Sequence, residues 1–202
     1  MVDLFHTDCM AYMRTVPDKF FDLAIVDPPY GLPKNSLRGS GKLKNRTLNQ
    51  METKWDVRPP RRYFKELFRV SKHQIIFGGN YFQLPETRCP VCWDKKQPWK
   101  NFSAWEYAWT SFRFPAPMFR YPNNQRGKIH PTQKPVKLYA WLLKQFAHPG
   151  IKILDTHLGS GSSAIAAHDA GFDFVGCEIN ASYFNSMMQR FTAHTQQGEL
   201  KL

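Results

Sequence analysis

A strand, a glycine turn and a helix follow one another at residues 151–170. The apolar run 151–154 has the length of a buried strand, and Gly159-Ser160-Gly161-Ser162-Ser163-Ala164 then opens a segment with helical spacing. Glycines at such a turn let the backbone bend sharply and approach a ligand at the amino end of the helix. This order favours a parallel α/β sheet, because parallel strands need a crossover connection that is usually a helix.

The rest of the chain shows the same alternation of apolar runs and helical patterns. We predict strands at residues 2–6, 21–26, 74–77, 91–94, 106–110, 151–155 and 172–177. We predict helices at residues 9–16, 61–71, 135–147, 162–170 and 181–192. Residues 31–58 and 112–127 have no clear hydrophobic period. We therefore expect an α/β fold with a mostly parallel sheet in a single domain over residues 1–202.

The second predicted strand ends at Asp27-Pro28-Pro29-Tyr30. Two successive prolines cannot donate to a β-ladder, so the strand must stop there in a stiff turn. The turn carries a carboxylate and an aromatic ring at the carboxyl end of a parallel strand, which is the edge where α/β sheets bind ligands. Taken alone, the tetrapeptide is equally compatible with a loop in which Asp27 caps the turn and Tyr30 packs.

Two carboxylates, Asp155 and Glu178, flank the glycine turn. Glu178 follows Gly161 by seventeen residues, at the end of the next predicted strand, where it can bind both hydroxyls of a ribose. A dinucleotide and S-adenosylmethionine both fit this arrangement. Asp155 would repel a pyrophosphate but attract the ammonium group of a methionine moiety, so we expect S-adenosylmethionine as the cofactor.

The net charge of +12 is unevenly distributed along the chain. Residues 31–72 hold twelve Lys/Arg and three acidic side chains, a net charge of +9, whereas residues 151–202 hold three basic and five acidic ones, a net charge of −2. This asymmetry favours a polyanionic partner on one part of the surface, and a nucleic acid in particular. The basic side chains that we expect to contact it are Lys34, Arg38, Lys42, Lys44 and Arg46.

Three motifs together resemble the DNA amino-methyltransferases, enzymes that methylate an exocyclic nitrogen of a base. Asp27-Pro28-Pro29-Tyr30 resembles their catalytic motif, and residues 155–161 resemble their cofactor loop. His130-Pro131-Thr132-Gln133-Lys134-Pro135 resembles the segment that precedes this loop in one circularly permuted subgroup. The order of the three motifs is that of the β class.

The resemblance implies a Rossmann-like sheet of seven mostly parallel strands with S-adenosylmethionine above its carboxyl edge. By position, the cofactor-binding residues are Asp8, Thr132, Lys134, Asp155, Gly159, Ser160, Gly161 and Glu178. The chain would then divide into a catalytic half at 1–110, with the basic loop 31–58, a small target-recognition segment at 111–129 and a cofactor-binding half at 130–192. Thr156-His157 departs from the family, which commonly has Pro-Phe there.

The implied reaction explains the composition of the tetrapeptide. The exocyclic amine of adenine is a poor nucleophile, because its lone pair is delocalised into the ring. The Asp27 carboxylate and the Pro28 carbonyl, held by the stiff Pro28-Pro29 turn, can accept its two N–H bonds and localise the lone pair. Tyr30 would give the base a stacking face, after the base has been flipped out of the duplex.

We therefore expect methylation of N6 of adenine in double-stranded DNA. Methylation of N4 of cytosine is the nearest alternative, and RNA is an alternative substrate. A catalytically idle nucleic-acid-binding subunit and a dinucleotide oxidoreductase are alternatives of other classes. The small recognition segment favours loose specificity or a homodimer, and the sequence does not indicate whether a restriction endonuclease partner exists.

Cysteine usage and hydropathy indicate the compartment. The four cysteines form no disulfide framework, no apolar run has the length of a membrane span, and the first residues do not resemble a signal peptide. We expect a cytoplasmic enzyme of bacterial, phage or plasmid type. Cys89-Pro90-Val91-Cys92 has no second Cys/His pair of matching spacing, so we expect no metal.

Overall fold

Strands and helices alternate along the chain. The computed structural model describes residues 1–32, 56–97, 103–123 and 127–199. The strands in these residues are β1 (Val2–His6), β2 (Phe21–Val26), β3 (Ser71–Phe77), β4 (Val91–Asp94), β5 (Trp105–Thr110), β6 (Met118–Arg120), β7 (Lys152–Asp155) and β8 (Asp173–Glu178). The helices are α1 (Cys9–Arg14), α2 (Arg61–Val70), α3 (Val136–Phe146), α4 (Ser162–Asp169) and α5 (Ala181–Glu199).

The strands of the described residues form one sheet in the order β1-β8-β7-β2-β3-β5-β4-β6. Neighbouring strands are parallel, except that β5 lies antiparallel to both β3 and β4. The predicted α/β class with a mostly parallel sheet is therefore confirmed. The predicted count of seven strands is wrong, because β6 adds an eighth. It has three residues and lies at the sheet edge, so its pairing with β4 leaves no hydrophobic period in the sequence.

Helices cover both faces of the sheet. One apolar core contains residues of α1 and α2, and the other contains residues of α3, α4 and α5. The apolar face predicted for the third helix is buried as expected: Leu138, Tyr139, Leu142, Leu143 and Phe146. The described part of the chain contains no helix that is both long and apolar enough to cross a membrane.

The chain leaves the neighbouring strands β2 and β7 toward opposite faces of the sheet. The helix that follows β2 packs in one core, whereas the helix that follows β7 packs in the other. A crevice therefore opens at the carboxyl ends of these strands, as is general in open α/β sheets. Asp27 follows β2, Asp155 ends β7 and Glu178 ends β8, so the sheet order brings these three carboxylates to one edge.

Two element bounds differ clearly from the prediction. Strand β3 begins at Ser71, three residues earlier than predicted, directly after α2. The Ser71 hydroxyl donates to the Leu67 carbonyl at the helix end, and the Gln74 amide donates to the Ser71 carbonyl at 2.9 Å, so no separate turn is needed. Helix α5 continues to Glu199, beyond the predicted end at residue 192.

Candidate active site

A cavity of about 250 Å³ lies at the carboxyl edge of β2, β7 and β8. Residues of all three sequence motifs line it, although they lie far apart in the chain. The predicted site residues in the lining are Asp27, Pro29, Thr132, Lys134, Gly159, Ser160 and Glu178. The fold therefore places the predicted catalytic tetrapeptide and the glycine turn against one shared space.

The other predicted site residues do not line this cavity. They are Asp8, Pro28, Tyr30, Asp155 and Gly161. Asp8 is exposed and caps α1, where its carboxylate accepts the Met10 N–H at 2.9 Å, while the neighbouring Cys9 and Met10 line the cavity. The predicted DNA-contacting residues Lys34, Arg38, Lys42, Lys44 and Arg46 lie outside the described residues.

Tyr30 holds the Asp27 carboxylate through its hydroxyl, which donates to Asp27 Oδ1 at 2.7 Å. Its ring is stacked on Tyr81, with centroids 4.9 Å apart and planes at 19°. Gly78 has φ +66, and a Cβ there would lie 2.2 Å from the Tyr30 ring, so glycine is required at this contact. One stacking face of Tyr30 is thus already covered by Tyr81.

Lys134 contacts the Asp27 carboxylate directly. Its ammonium lies 2.5 Å from Asp27 Oδ2 and 3.1 Å from Glu106 Oε2, and 4.7 Å from the centre of the Phe77 ring. The side chain is buried. Burial by itself would lower the pKa of Lys134, but the charges of Asp27 and Glu106 hold it above its usual value. Lys134 is therefore a cation that faces Asp27 inside the cavity.

Glu106 is a site residue that the sequence analysis missed. It lies on β5 and makes ion pairs with Lys134 and, at 2.6 Å, with Lys95. Burial favours its neutral form, yet the two lysine charges hold the pKa of Glu106 below its usual value. A single acid inside the aromatic strand Trp105–Thr110 was the available signal, but its partners lie in other parts of the chain.

The glycine turn depends on both of its glycines. Gly159 and Gly161 have φ of +49 and +72, and a Cβ on Gly161 would lie 2.5 Å from the Met187 side chain on α5. Glu178 fixes the turn from the next strand, since its carboxylate accepts the N–H groups of Gly159 and Asn180, each at 2.9 Å. Glu178 therefore supports the turn and faces the cavity as well.

Asp155 is buried behind the glycine turn. Its carboxylate accepts the Ser163 hydroxyl at 2.6 Å and the His157 N–H at 2.9 Å. Burial raises the pKa of Asp155 to about 7. In this arrangement Asp155 holds together the two ends of the turn, from His157 to the first residues of α4.

This raised pKa of Asp155 predicts a pH dependence of stability. An unfolded aspartate has a pKa of about 3.9, so between about pH 4 and pH 7 the folded protein binds the extra proton and stability falls as the pH rises. Relative to Asp155→Asn, we expect the wild type to gain on the order of 2 kcal/mol between about pH 7.5 and about pH 5. Urea unfolding of both proteins measures this, and parallel pH curves would contradict it.

Two further side chains hold the glycine turn from distant elements. Arg190 on α5 donates to the Ser160 carbonyl at 2.6 Å and to the Ser162 hydroxyl at 3.0 Å. The hydroxyls of Tyr63 on α2 and Thr156 lie 2.6 Å apart. These partners are far apart in the chain, and no local sequence pattern indicates them.

Thr156 and His157, which replace the Pro-Phe common in the family, make polar contacts. The Thr156 hydroxyl lies 2.9 Å from His157 Nδ1, and His157 lines the cavity. Burial lowers the pKa of His157 to about 4 and that of His130 to about 3, where the Lys134 charge adds to the effect. Both histidines are thus neutral at neutral pH. Among the residues that the structure describes, no cluster of three His, Cys, Asp or Glu side chains is suited to a metal ion.

Comparison with known proteins shows which proteins the chain is similar to. The family of N6/N4 methyltransferases described as DNA methylase matches residues 93–189. YubD of Escherichia coli (strain K12) is 26% identical over 216 residues, which cover 92% of this chain and 88% of YubD. The Type II methyltransferase M1.MboII of Moraxella bovis is 25% identical over 246 residues, covering 88% of this chain and 92% of the enzyme. The chain therefore resembles DNA amino-methyltransferases over most of its length. The β-class resemblance predicted from the three motifs is confirmed.

Solved structures of DNA methyltransferases share the fold of this chain. The M1.HpyAVI–SAM complex is 18% identical with a TM-score of 0.62, and the match covers 94% of this chain and all of that one. The cytosine-N4-specific PvuII DNA methyltransferase is 12% identical with a TM-score of 0.63, and the match covers 97% of this chain and 92% of that one. That M1.HpyAVI structure is a complex with S-adenosylmethionine, the cofactor expected from the sequence.

Proposed function

We propose that this amino-methyltransferase transfers the methyl group of S-adenosylmethionine to N6 of adenine in DNA. The observation that carries the proposal is the shared cavity, in which Asp27 of the catalytic tetrapeptide faces the same space as Gly159 and Glu178 of the glycine turn. A hydrogen-bond acceptor for an amine and a binding place for a nucleoside are the two parts that this reaction requires.

The residues of the cavity fit S-adenosylmethionine. Gly159 lines the cavity with a positive φ and no side chain, which leaves its backbone open to close approach. Glu178 lines the cavity, and its carboxylate has acceptor capacity beyond its two backbone contacts, so we assign it to the ribose hydroxyls. Thr132 lines the cavity beside His130 and is assigned to the same cofactor. The cofactor supplies a methyl group activated on a sulfonium sulfur.

Asp155, Gly161, Ser160 and Asp8 have different parts in this proposal. Asp155 and Gly161 shape the glycine turn from behind, and Ser160 lines the cavity at the turn itself. Because a cationic methionine moiety favours the ionised form of a nearby carboxyl, Asp155 also contributes a favourable charge. Asp8 keeps its assignment to the adenine amine of the cofactor as a prediction from the sequence.

Asp27 activates the target amine as a hydrogen-bond acceptor. Pro28 does not line the cavity, and its carbonyl keeps its assignment as the second acceptor as a prediction from the sequence. With both acceptors engaged on the two N–H bonds, the lone pair of the nitrogen points at the methyl group. Positioning of this kind contributes up to about 7–11 kcal/mol to lowering a barrier in favourable cases. The neutral histidines His130 and His157 need no role as a base, since the methylated amine can lose its proton to water.

Adenine is favoured over cytosine by the first residue of the tetrapeptide. In the family that the chain resembles, aspartate at this position is the more usual form of adenine enzymes. Methylation of N4 of cytosine is the second candidate, because it presents the same exocyclic amine to Asp27. The similar fold of a cytosine-N4-specific enzyme favours keeping it in the test.

Mapping of the modified base tests the proposed function. Unmodified double-stranded DNA is incubated with labelled S-adenosylmethionine, digested to nucleosides and analysed by mass spectrometry. We expect label in N6-methyladenine, whereas label in N4-methylcytosine would select the second candidate. Absence of transfer would contradict both. A parallel reaction with RNA of the same sequence decides the class of nucleic acid.

The basic loop at residues 31–58 is proposed to contact DNA phosphates. Replacing Lys34, Arg38, Lys42, Lys44 and Arg46 by glutamine should weaken DNA binding. The slope of log K against log salt should also become shallower, by up to about 0.9 for each phosphate that the protein no longer neutralises. Lys144→Gln, an exposed residue on α3, is the control. An unchanged slope in the five-residue variant would contradict the assignment.

The remaining assignments stay predictions from the sequence. They are the homodimer or loose specificity suggested by the small segment 111–129, the division of a single domain into halves, and the cytoplasmic localisation. Sedimentation of the purified protein with and without DNA measures the first of these.

A further inference from the structure

Four charged side chains form a continuous chain at the catalytic carboxylate. The order is Asp27, Lys134, Glu106 and Lys95, and the successive N···O distances are 2.5, 3.1 and 2.6 Å. The exposed fraction of these side chains runs from 3% for Lys134 to 22% for Glu106. Carboxylates and ammonium groups alternate, so the four charges cancel.

Stability alone does not account for this arrangement. Burying an ion costs several kcal/mol, and a buried ion pair is often no more stabilising than well-packed apolar side chains. Glu106 lies on β5 opposite Trp93 of β4, and Ala108 two positions along the same face is fully buried. Packing on this face therefore does not by itself require a charge at position 106, which points to a role for the carboxylate.

We infer that Glu106 is a positioning residue that acts on methyl transfer through Lys134 and Asp27. Its carboxylate binds the Lys134 ammonium and thereby restrains Lys134 to one oxygen of Asp27. The Tyr30 hydroxyl donates to the other oxygen at 2.7 Å, so the carboxylate is fixed between two donors. Lone pairs of Asp27 then remain oriented for the N–H of the base. The inference rests on the proposed transfer to an exocyclic amine.

Glu106 also determines how strongly Lys134 acts on Asp27. Burial raises the pKa of Asp27, the Lys134 charge lowers it, and the Glu106 charge raises it. Without the charge of Glu106, Lys134 acts more strongly on Asp27, and the pKa of Asp27 falls. Without the charge of Lys134, the pKa of Asp27 rises. The other titratable groups that face Asp27 from the elements around it are Tyr30, Tyr63, Tyr139 and Asp155.

The test measures the ionisation of Asp27 directly in the free protein. Carboxyl ¹³C NMR follows the titration, and loss of the signal in Asp27→Asn assigns it. We expect Glu106→Gln to move the midpoint of Asp27 to lower pH by on the order of one pH unit, and Lys134→Met to move it to higher pH. The acid limb of the kcat–pH profile should move in the same directions, because protonated Asp27 loses its capacity to accept.

Glu66→Gln is the matched control. It removes a carboxylate from the ion pair with Arg69 on α2, at 2.8 Å, and should leave both the NMR titration and the pH profile unchanged. Where Lys134→Met does not fold, Lys95→Met replaces it, since removal of that charge strengthens the hold of Glu106 on Lys134 and raises the midpoint of Asp27.

The outcomes separate this inference from the proposed function. An unchanged Asp27 midpoint in folded Glu106→Gln overturns the inference, even where the wild type methylates DNA. A shifted midpoint with an unshifted pH profile also overturns it, because Asp27 would then not limit the reaction. Shifted midpoints in a protein that transfers no methyl group overturn the proposed function and support the electrostatic link.

Discussion

Asp27→Ala should abolish methyl transfer while S-adenosylmethionine still binds. The alanine variant lacks the acceptor that localises the lone pair of the target amine, and it leaves the Lys134 ammonium facing the base with its positive charge. We expect a loss of roughly a thousandfold in the single-turnover rate, within the range for removal of a directly participating group. The cofactor Kd, measured by calorimetry, should change little, because the cofactor is assigned to the glycine turn and Glu178, whereas Asp27 is assigned to the target base.

Two variants define what this loss means. Asp22→Ala removes a carboxylate from the same strand, β2, where Asp22 is ion-paired with Lys72 at 2.7 Å, and should leave the rate unchanged. Asp27→Asn keeps an oxygen acceptor and should retain more activity than the alanine variant. Full transfer by folded Asp27→Ala would refute the assigned mechanism.

Glu178→Ala should remove most of the affinity for S-adenosylmethionine. The carboxylate is assigned to the ribose, and it also accepts the N–H groups of Gly159 and Asn180. Hydrogen bonds to charged groups contribute about 1.5–3 kcal/mol each, so we expect the Kd to rise by about a hundredfold or more. Calorimetry with S-adenosylmethionine measures the affinity, and urea unfolding measures the loss of stability from the unpaired backbone groups.

Asp173→Ala is the control for this second result. Asp173 begins the same strand, β8, and pairs with the N-terminal ammonium group at 2.7 Å. It therefore lies at the amino end of the strand, away from the carboxyl edge where the cavity is. Its removal should leave the cofactor affinity unchanged. An unchanged Kd in folded Glu178→Ala would show that the cofactor is held elsewhere.

Local features of the sequence determined most strands and helices, and the edge of the sheet at which the site residues lie. Apolar runs of strand length predicted β2 and β7, the prolines that follow Asp27 ended β2, and the glycines at 159 and 161 marked the turn between β7 and the next helix. The spacing of apolar residues gave the buried face of α3. Because parallel strands end at one edge, even the neighbourhood of Asp27, Asp155 and Glu178 followed from these local patterns.

Tertiary structure alone decided which side chains contact one another at that edge. Lys134 and Asp27 lie 107 positions apart, and they meet because the segment before α3 passes over the end of β2. Glu106 joins them because β5 pairs with β3, which neighbours β2, and strand order has no counterpart in local hydrophobic spacing. Burial likewise raised the pKa of Asp155. The sequence assigned this residue to the cofactor, whereas the fold places it behind the turn. Desolvation depends on everything packed around a group, and that is a property of the whole fold.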